Sequence, residues 1–188
     1  MKVAVTFDDG PNPKFTPTIL AELAKRKILS TFFLIGRNVK TWPSLAKSMH
    51  EQGHEVANHT FTHPTLSKLD DVAVADELRR GQDAIHAATG VTPKLFRPPY
   101  GAFRRTQASL ATAEKLEILL WNVDPRDWAQ PGIEKIQSTI KTESKPGAIV
   151  LLHELHEQTL EALPSVLDDL QARGFQLTTI TDLLGRKV

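Results

Sequence analysis

Two histidines four positions apart, His59 and His63, bracket the segment His59-Thr60-Phe61-Thr62-His63. Imidazoles at that spacing share a face if the segment is helical, and a tight turn would also bring them together. Two His and one carboxylate form a common set for zinc and its neighbours, with a position left open for water. The pair Asp8-Asp9, just before Gly10-Pro11, offers the carboxylate from either residue. The 188 residues include no cysteine, so thiolate catalysis, disulfides and cysteine zinc sites are excluded. A transition-metal site in this chain must draw on His, Asp or Glu.

Other groups could supply the rest of a hydrolytic site. Successive side chains on a strand point to opposite sides, which would give Asp8 and Asp9 different jobs, one as ligand and one as base. The plainer reading of such a pair is turn formation or helix capping. Arg97-Pro98-Pro99-Tyr100-Gly101 reads as a stiff loop, because proline fixes φ and glycine frees the turn. Arg97 could hold a carboxylate through paired hydrogen bonds. The loop backbone could present an N–H to a pocket as an oxyanion donor. Asp124-Pro125-Arg126-Asp127-Trp128 and His153 complete the set. An Asp beside His153 would raise the imidazole pKa, which suits a proton donor to a leaving amine. Trp128 and Leu151 could line an apolar slot. His50, His54, His86 and His156 are assigned to solvent or packing.

These groups need elements to bring them together. Short apolar runs read as strands at Val3–Phe7, Thr31–Ile35, Glu55–Asn58, Leu95–Arg97, Ile118–Val123, Ile149–Leu152 and Gln176–Ile180. Continuous apolar character is expected of strands buried on both faces. Amphipathic stretches at Thr16–Lys27, Pro43–Gln52, Asp70–Thr89, Phe103–Leu116, Ile133–Glu143 and Thr159–Arg173 read as helices, with a short one near Asp182. Strand–helix alternation implies parallel strands with right-handed crossovers. About seven such units point to an α/β fold, a distorted, shortened (β/α) barrel, with an open doubly wound sheet as the second choice. The polar clusters then fall at the C-terminal ends of successive strands, the rim where such folds build active sites. No repeat or linker divides the chain, so residues 1–188 are expected to form one domain.

The formal net charge is +1 and the basic residues are scattered, so no field favours nucleic acid or an anionic membrane. No apolar run approaches the length of a membrane span. Met1-Lys2 leads straight into a strand pattern, which leaves a cytosolic protein and the catalytic domain of an exported one both open.

The motifs together resemble the polysaccharide deacetylases of carbohydrate esterase family 4, which share the NodB-homology domain. The resemblance runs, in order, through Thr6-Phe7-Asp8-Asp9-Gly10, His59-Thr60-Phe61-Thr62-His63, Arg97-Pro98-Pro99-Tyr100, Asp124-Pro125-Arg126-Asp127-Trp128 and Leu151-Leu152-His153. It implies one divalent metal, usually Zn2+ with Co2+ or another transition metal as alternatives, held by Asp9, His59 and His63. It further implies Asp8 as general base oriented by Arg97, His153 as general acid tuned by Asp127, and the Tyr100 N–H as oxyanion donor. Trp128, Leu151 and Pro98 would frame the acetyl groove. Glu154 departs from the pattern, since many relatives carry Asp there.

The activity implied is hydrolysis of N-acetyl groups from chitin-type chains, chito-oligosaccharides or peptidoglycan, with a metal-bound water as nucleophile. The partner implied is a carbohydrate chain, acted on by a monomer. Two alternatives stand beside it. One is O-deacetylation of acetylated xylan. The other is a non-catalytic sugar-binding module, against which the presence of both Asp8 and His153 argues.

Overall fold

The computed structural model describes residues 1–186. Seven strands form one parallel sheet: β1 (Lys2–Gly10), β2 (Thr31–Leu34), β3 (Glu55–Asn58), β4 (Leu95–Phe96), β5 (Glu117–Ile118), β6 (Ile149–His153) and β7 (Gln176–Leu177). Their order is β5-β4-β3-β2-β1-β6, and β7 pairs with the start of β1. The expected α/β architecture, a distorted and shortened barrel, is the one found. β5 and β6 do not pair as strands, but a single parallel bridge from Val123 to Val150 crosses the gap between them.

Helices cover the sheet: α1 (Thr16–Lys25), α2 (Gly36–Thr41), α3 (Pro43–Glu51), α4 (Asp71–Thr89), α5 (Ala108–Ala113), α6 (Ile133–Glu143), α7 (Glu157–Ala172) and α8 (Ile180–Leu183). β1 lies between β2 and β6, which explains why every residue of it after Lys2 is buried. The main apolar cluster joins Val3, Val5 and Phe7 of β1 to Ile19 and Leu23 of α1 and to Leu163 and Leu167 of α7. α4 is started by the Asp70 side chain, which accepts a hydrogen bond from the Ala73 N–H at 2.8 Å, and is stopped by Gly90 at φ +78°.

Several boundaries differ from the sequence expectation. The strand expected over Ile118–Val123 is reduced to Glu117–Ile118. The Leu119 and Leu120 carbonyls instead accept hydrogen bonds from the Arg97 side chain at 3.2 and 3.3 Å. The last strand ends at Leu177 rather than Ile180, because Thr179 caps α8. The helix expected over Phe103–Leu116 shortens to α5. Gln107 is drawn away to cap the Arg104 N–H at 2.9 Å and to reach the Leu66 carbonyl at 2.9 Å. α2 was not anticipated, since its 6 residues are too few to show a period.

At the far end of the sheet from the polar rim, His54 packs edge-on against Phe32, and its Nδ1 accepts the Ser30 N–H at 3.2 Å. Burial pushes its pKa down from 6.5 to about 4. The folded protein therefore keeps His54 neutral in a range where the unfolded chain is already protonated. This contribution is full above pH 6.5 and is lost as the pH falls toward 4, to the extent of about 2–3 kcal/mol. His54→Gln is expected to flatten the pH dependence of unfolding free energy across that window, as measured by denaturant titration.

Candidate active site

The polar residues of five strand ends meet at the C-terminal rim. Asp8 and His153 are register partners on adjacent strands, β1 and β6. Asp9 breaks the strand alternation: its φ is +73°, and the β1–β2 register shifts between Asp8 and Gly10. The two carboxylates therefore do not diverge as a regular strand would require. Asp8 Oδ2 lies 3.7 Å and Asp9 Oδ1 3.5 Å from the same atom, His59 Nε2.

His59 and His63 converge through a turn rather than a helix. Thr60 and His63 both adopt positive φ, +66° and +64°, and the ring centroids come within 4.9 Å. His59 Nδ1–H donates to the Arg97 carbonyl at 2.7 Å, which leaves Nε2 with a lone pair facing the acids. His63 Nε2 lies 3.2 Å from Asp9 Oδ1. One ligand atom from each of Asp9, His59 and His63 can be chosen so that all lie within 4.8 Å of one another. Asp9 Oδ1 is buried without a hydrogen-bond partner among the described residues. An orphaned anionic oxygen facing two imidazole nitrogens fits a divalent cation and its N/O preferences. Burial works to raise the Asp9 carboxyl, but His59, then His63 and His153, outweigh it and hold the group at about 2. Burial and the neighbouring His59 push the His63 pKa down, which keeps the ring in the neutral form a cation needs.

Arg97 is 0% exposed and stacks over Phe33 with its guanidinium carbon 3.9 Å from the ring centroid. A single nitrogen, Nη1, reaches both Asp8 Oδ1 at 2.6 Å and Thr6 Oγ1 at 2.9 Å. The paired contact expected on Asp8 is thus a single bond, because Nε and Nη2 are turned to the Leu119 and Leu120 carbonyls.

On the other flank, Asp127 is fully buried. Its Oδ1 takes His153 Nδ1–H at 2.7 Å, and its Oδ2 takes the His153 N–H at 2.8 Å and Thr159 Oγ1–H at 2.7 Å. Burial opposes the charge on His153, but the Asp127 contact and the nearby Asp8 and Asp9 push its pKa up to about 9. Asp124, grouped with Asp127 in the sequence, serves a turn instead: its Oδ1 accepts the Arg126 N–H at 2.8 Å. Tyr100 has φ +61° and its exposed ring meets His63 edge-on at 4.8 Å. Leu151 and Pro98 are buried, while Trp128 is half exposed and available to a ligand.

Residues outside the motifs also hold this rim. Asn38 Nδ2 donates to the Asp9 carbonyl at 2.9 Å, and the Thr16 hydroxyl bonds the buried Glu154. A Cβ at Gly10 would fall 1.9 Å from Glu154 Oε1, so only glycine fits against that carboxyl. Glu77 accepts the Phe61 and Thr62 N–H groups. The sequence did carry a signal for it, an acid on the buried face of α4 in step with Val74, Leu78, Gly81 and Ile85.

The family profile described as polysaccharide deacetylase matches residues 1–119. A chitooligosaccharide deacetylase of Bradyrhizobium sp. (strain ANU 289) is 42% identical over 96% of this chain and 90% of its own length. A peptidoglycan-N-acetylglucosamine deacetylase of Bacillus cereus is 33% identical over 97% of this chain and 68% of its own. The T48 deacetylase, solved with substrate, superposes with a TM-score of 0.93 at 36% identity, over 99% of this chain and 92% of that one.

Removing the charge of Asp127 should release the His153 proton at lower pH. Asp127→Asn is expected to bring the His153 pKa down by more than one unit from about 9. Titration of the His153 ring resonances by NMR reads this directly.

Proposed function

The chain belongs to the polysaccharide deacetylase family, and from that premise we propose that it hydrolyses N-acetyl groups of an N-acetylglucosamine-containing polysaccharide, with Asp8 as base and His153 as acid. The observation that carries the reading is the pairing of an Arg97-held carboxylate with an Asp127-held imidazole, side by side on β1 and β6 and flanking the Asp9–His59–His63 cluster. On this reading residues 1–188 are one catalytic domain, acting as a monomer on a carbohydrate chain.

Asp9, His59 and His63 would hold one divalent cation, Zn2+ in the first place or Co2+ in its stead. Bound there, the cation lowers the pKa of water and polarises the acetyl carbonyl. Asp8 takes the proton of the attacking water. Its Oδ1 is engaged by Arg97 at 2.6 Å, which fixes the carboxylate's orientation and leaves Oδ2 for the proton. The Tyr100 N–H donates to the oxyanion that develops as water adds to the carbonyl carbon. His153, protonated at neutral pH by its Asp127 contact, gives its proton to the amide nitrogen as the C–N bond breaks. Free amine and acetate are released. Asp127 keeps Nδ1–H engaged, so the transferred proton comes from Nε2. Trp128, Leu151 and Pro98 frame the acetyl methyl group.

The substrate is read from chemistry and from relatives. An alkoxide leaves more readily than an amine, so ester hydrolysis on acetylated xylan would lean less on His153. His153→Ala is expected to lose more turnover on an N-acetyl than on an O-acetyl substrate, and equal losses would count against this role. Asp8→Asn is expected to lower kcat by about 10²–10⁴-fold while leaving metal content unchanged. Acetate release should be measured on chito-oligosaccharides, peptidoglycan and acetylxylan, before and after chelation and Zn2+ re-addition. Turnover on an N-acetyl polymer that chelation abolishes and Zn2+ restores is the expected result. No turnover on any of the three with Zn2+ present would overturn it.

A further inference from the structure

Glu77 lies outside every motif described above. It sits in the middle of α4 at 8% exposure, and among the described residues no Lys or Arg lies within ion-pair distance of it. Arg80, one turn on, is committed elsewhere: it pairs with Asp76 at 3.1 Å and stacks on Phe61 at 3.9 Å. Burying a carboxylate without a cation is unfavourable unless its lone pairs are met by donors. Glu77 meets that need with one short segment of chain. Its Oε2 accepts the Phe61 N–H at 2.9 Å and the Thr62 N–H at 2.8 Å, and its Oε1 accepts Thr62 Oγ1–H at 2.8 Å.

That segment joins His59 to His63. Its backbone is strained, because Thr60 and His63 occupy the left-handed region that residues with a Cβ avoid. Its one internal N–H contact, His63 N–H to Thr60 Oγ1 at 3.1 Å, leaves the Phe61 and Thr62 N–H groups to outside partners. Its carbonyls are held from the opposite side by the start of α2: Gly36 N–H donates to Thr60 O and Arg37 N–H to Phe61 O, both at 2.9 Å. Asn58 Oδ1 takes the Thr60 N–H at 2.7 Å. α4 can approach this closely only because residue 81 is glycine: a Cβ there would lie 2.5 Å from Asn58 Oδ1 and 3.1 Å from the Thr60 carbonyl carbon.

We infer that Glu77 is a positioning residue for the cation site, fixing the Phe61–Thr62 peptides so that His59 and His63 are held together beside Asp9 before any cation arrives. This deepens the proposed function and rests on its reading of Asp9, His59 and His63 as ligands. Groups that orient metal ligands from behind commonly set affinity by about 10–100-fold.

The test is Zn2+ affinity of the folded protein, measured by competition with a chromophoric chelator, together with the visible spectrum of the Co2+ form. Glu77→Gln keeps an oxygen of the same reach and removes the charge; Glu77→Ala removes both. Zn2+ affinity is expected to fall in the order wild type, Gln, Ala, by about 10-fold or more for Gln, with an altered Co2+ spectrum and with kcat recovering at saturating Zn2+. Thr62→Ala removes only the hydroxyl bond and should weaken binding several-fold. Wild-type Zn2+ affinity in Glu77→Gln, or a lowered melting temperature of the apoprotein with unchanged affinity, would overturn the proposal by making Glu77 merely structural. Should the Glu77 variants not fold, unchanged affinity in Thr62→Ala overturns it equally. A wild-type protein that takes up neither Zn2+ nor Co2+ would sink the cation reading itself, and this inference with it.

Discussion

The rim is organised around one buried cation, the guanidinium of Arg97. It is among the largest fully buried side chains. Its side chain ties β1, through Thr6 and Asp8, to the segment after β5, through the Leu119 and Leu120 carbonyls. Its own carbonyl takes His59 Nδ1–H. One residue thus sets both the orientation of Asp8 and the tautomer of His59. A buried ion pair contributes little net stability, but leaving either partner alone is strongly unfavourable, which makes the arrangement all-or-none. That property suits a site whose geometry must not drift.

Around Arg97 the titratable groups separate into two halves with opposite needs. Asp9 is held at about 2 and His63 is pushed down, so both present lone pairs. His153 is pushed up to about 9 and keeps its proton. The two imidazoles differ because Asp127 backs His153, whereas burial and the neighbouring His59 act on His63. Environments that drive like groups apart are how a single rim can hold lone-pair donors and a protonated imidazole at one pH.

The outer layer shows how much polar burial this arrangement demands. Asp8, Asp9, Asn58, His59, Glu77, Arg97, Asp127 and Glu154 are all nearly or wholly inaccessible. Glu154 extends the pattern, since burial first and the nearby Asp9 and Asp8 push its carboxyl up to about 8 despite the Thr16 hydroxyl. A neutral acid packed against Gly10 supports the end of β1 without adding a third negative charge beside Asp8 and Asp9.

Much of this was written in the residues themselves. Apolar runs separated by amphipathic stretches prescribe a parallel α/β fold, because strands buried on both faces can be covered only by crossover helices. The absence of cysteine and the spacing of His59 and His63 limit a metal site to His and carboxylate ligands before any fold is known. Tertiary contacts decided the rest. The approach of Asp8 and Asp9 to the same imidazole nitrogen follows from a register shift that strand periodicity cannot reveal. The single bond from Arg97 to Asp8 follows from competition by the Leu119 and Leu120 carbonyls, which also shorten β5. Glu77 and α2 hold the segment between the two imidazoles only through contacts with chain distant in sequence. Local pattern reports which face of an element is buried; it does not report which polar group from another element will meet it there.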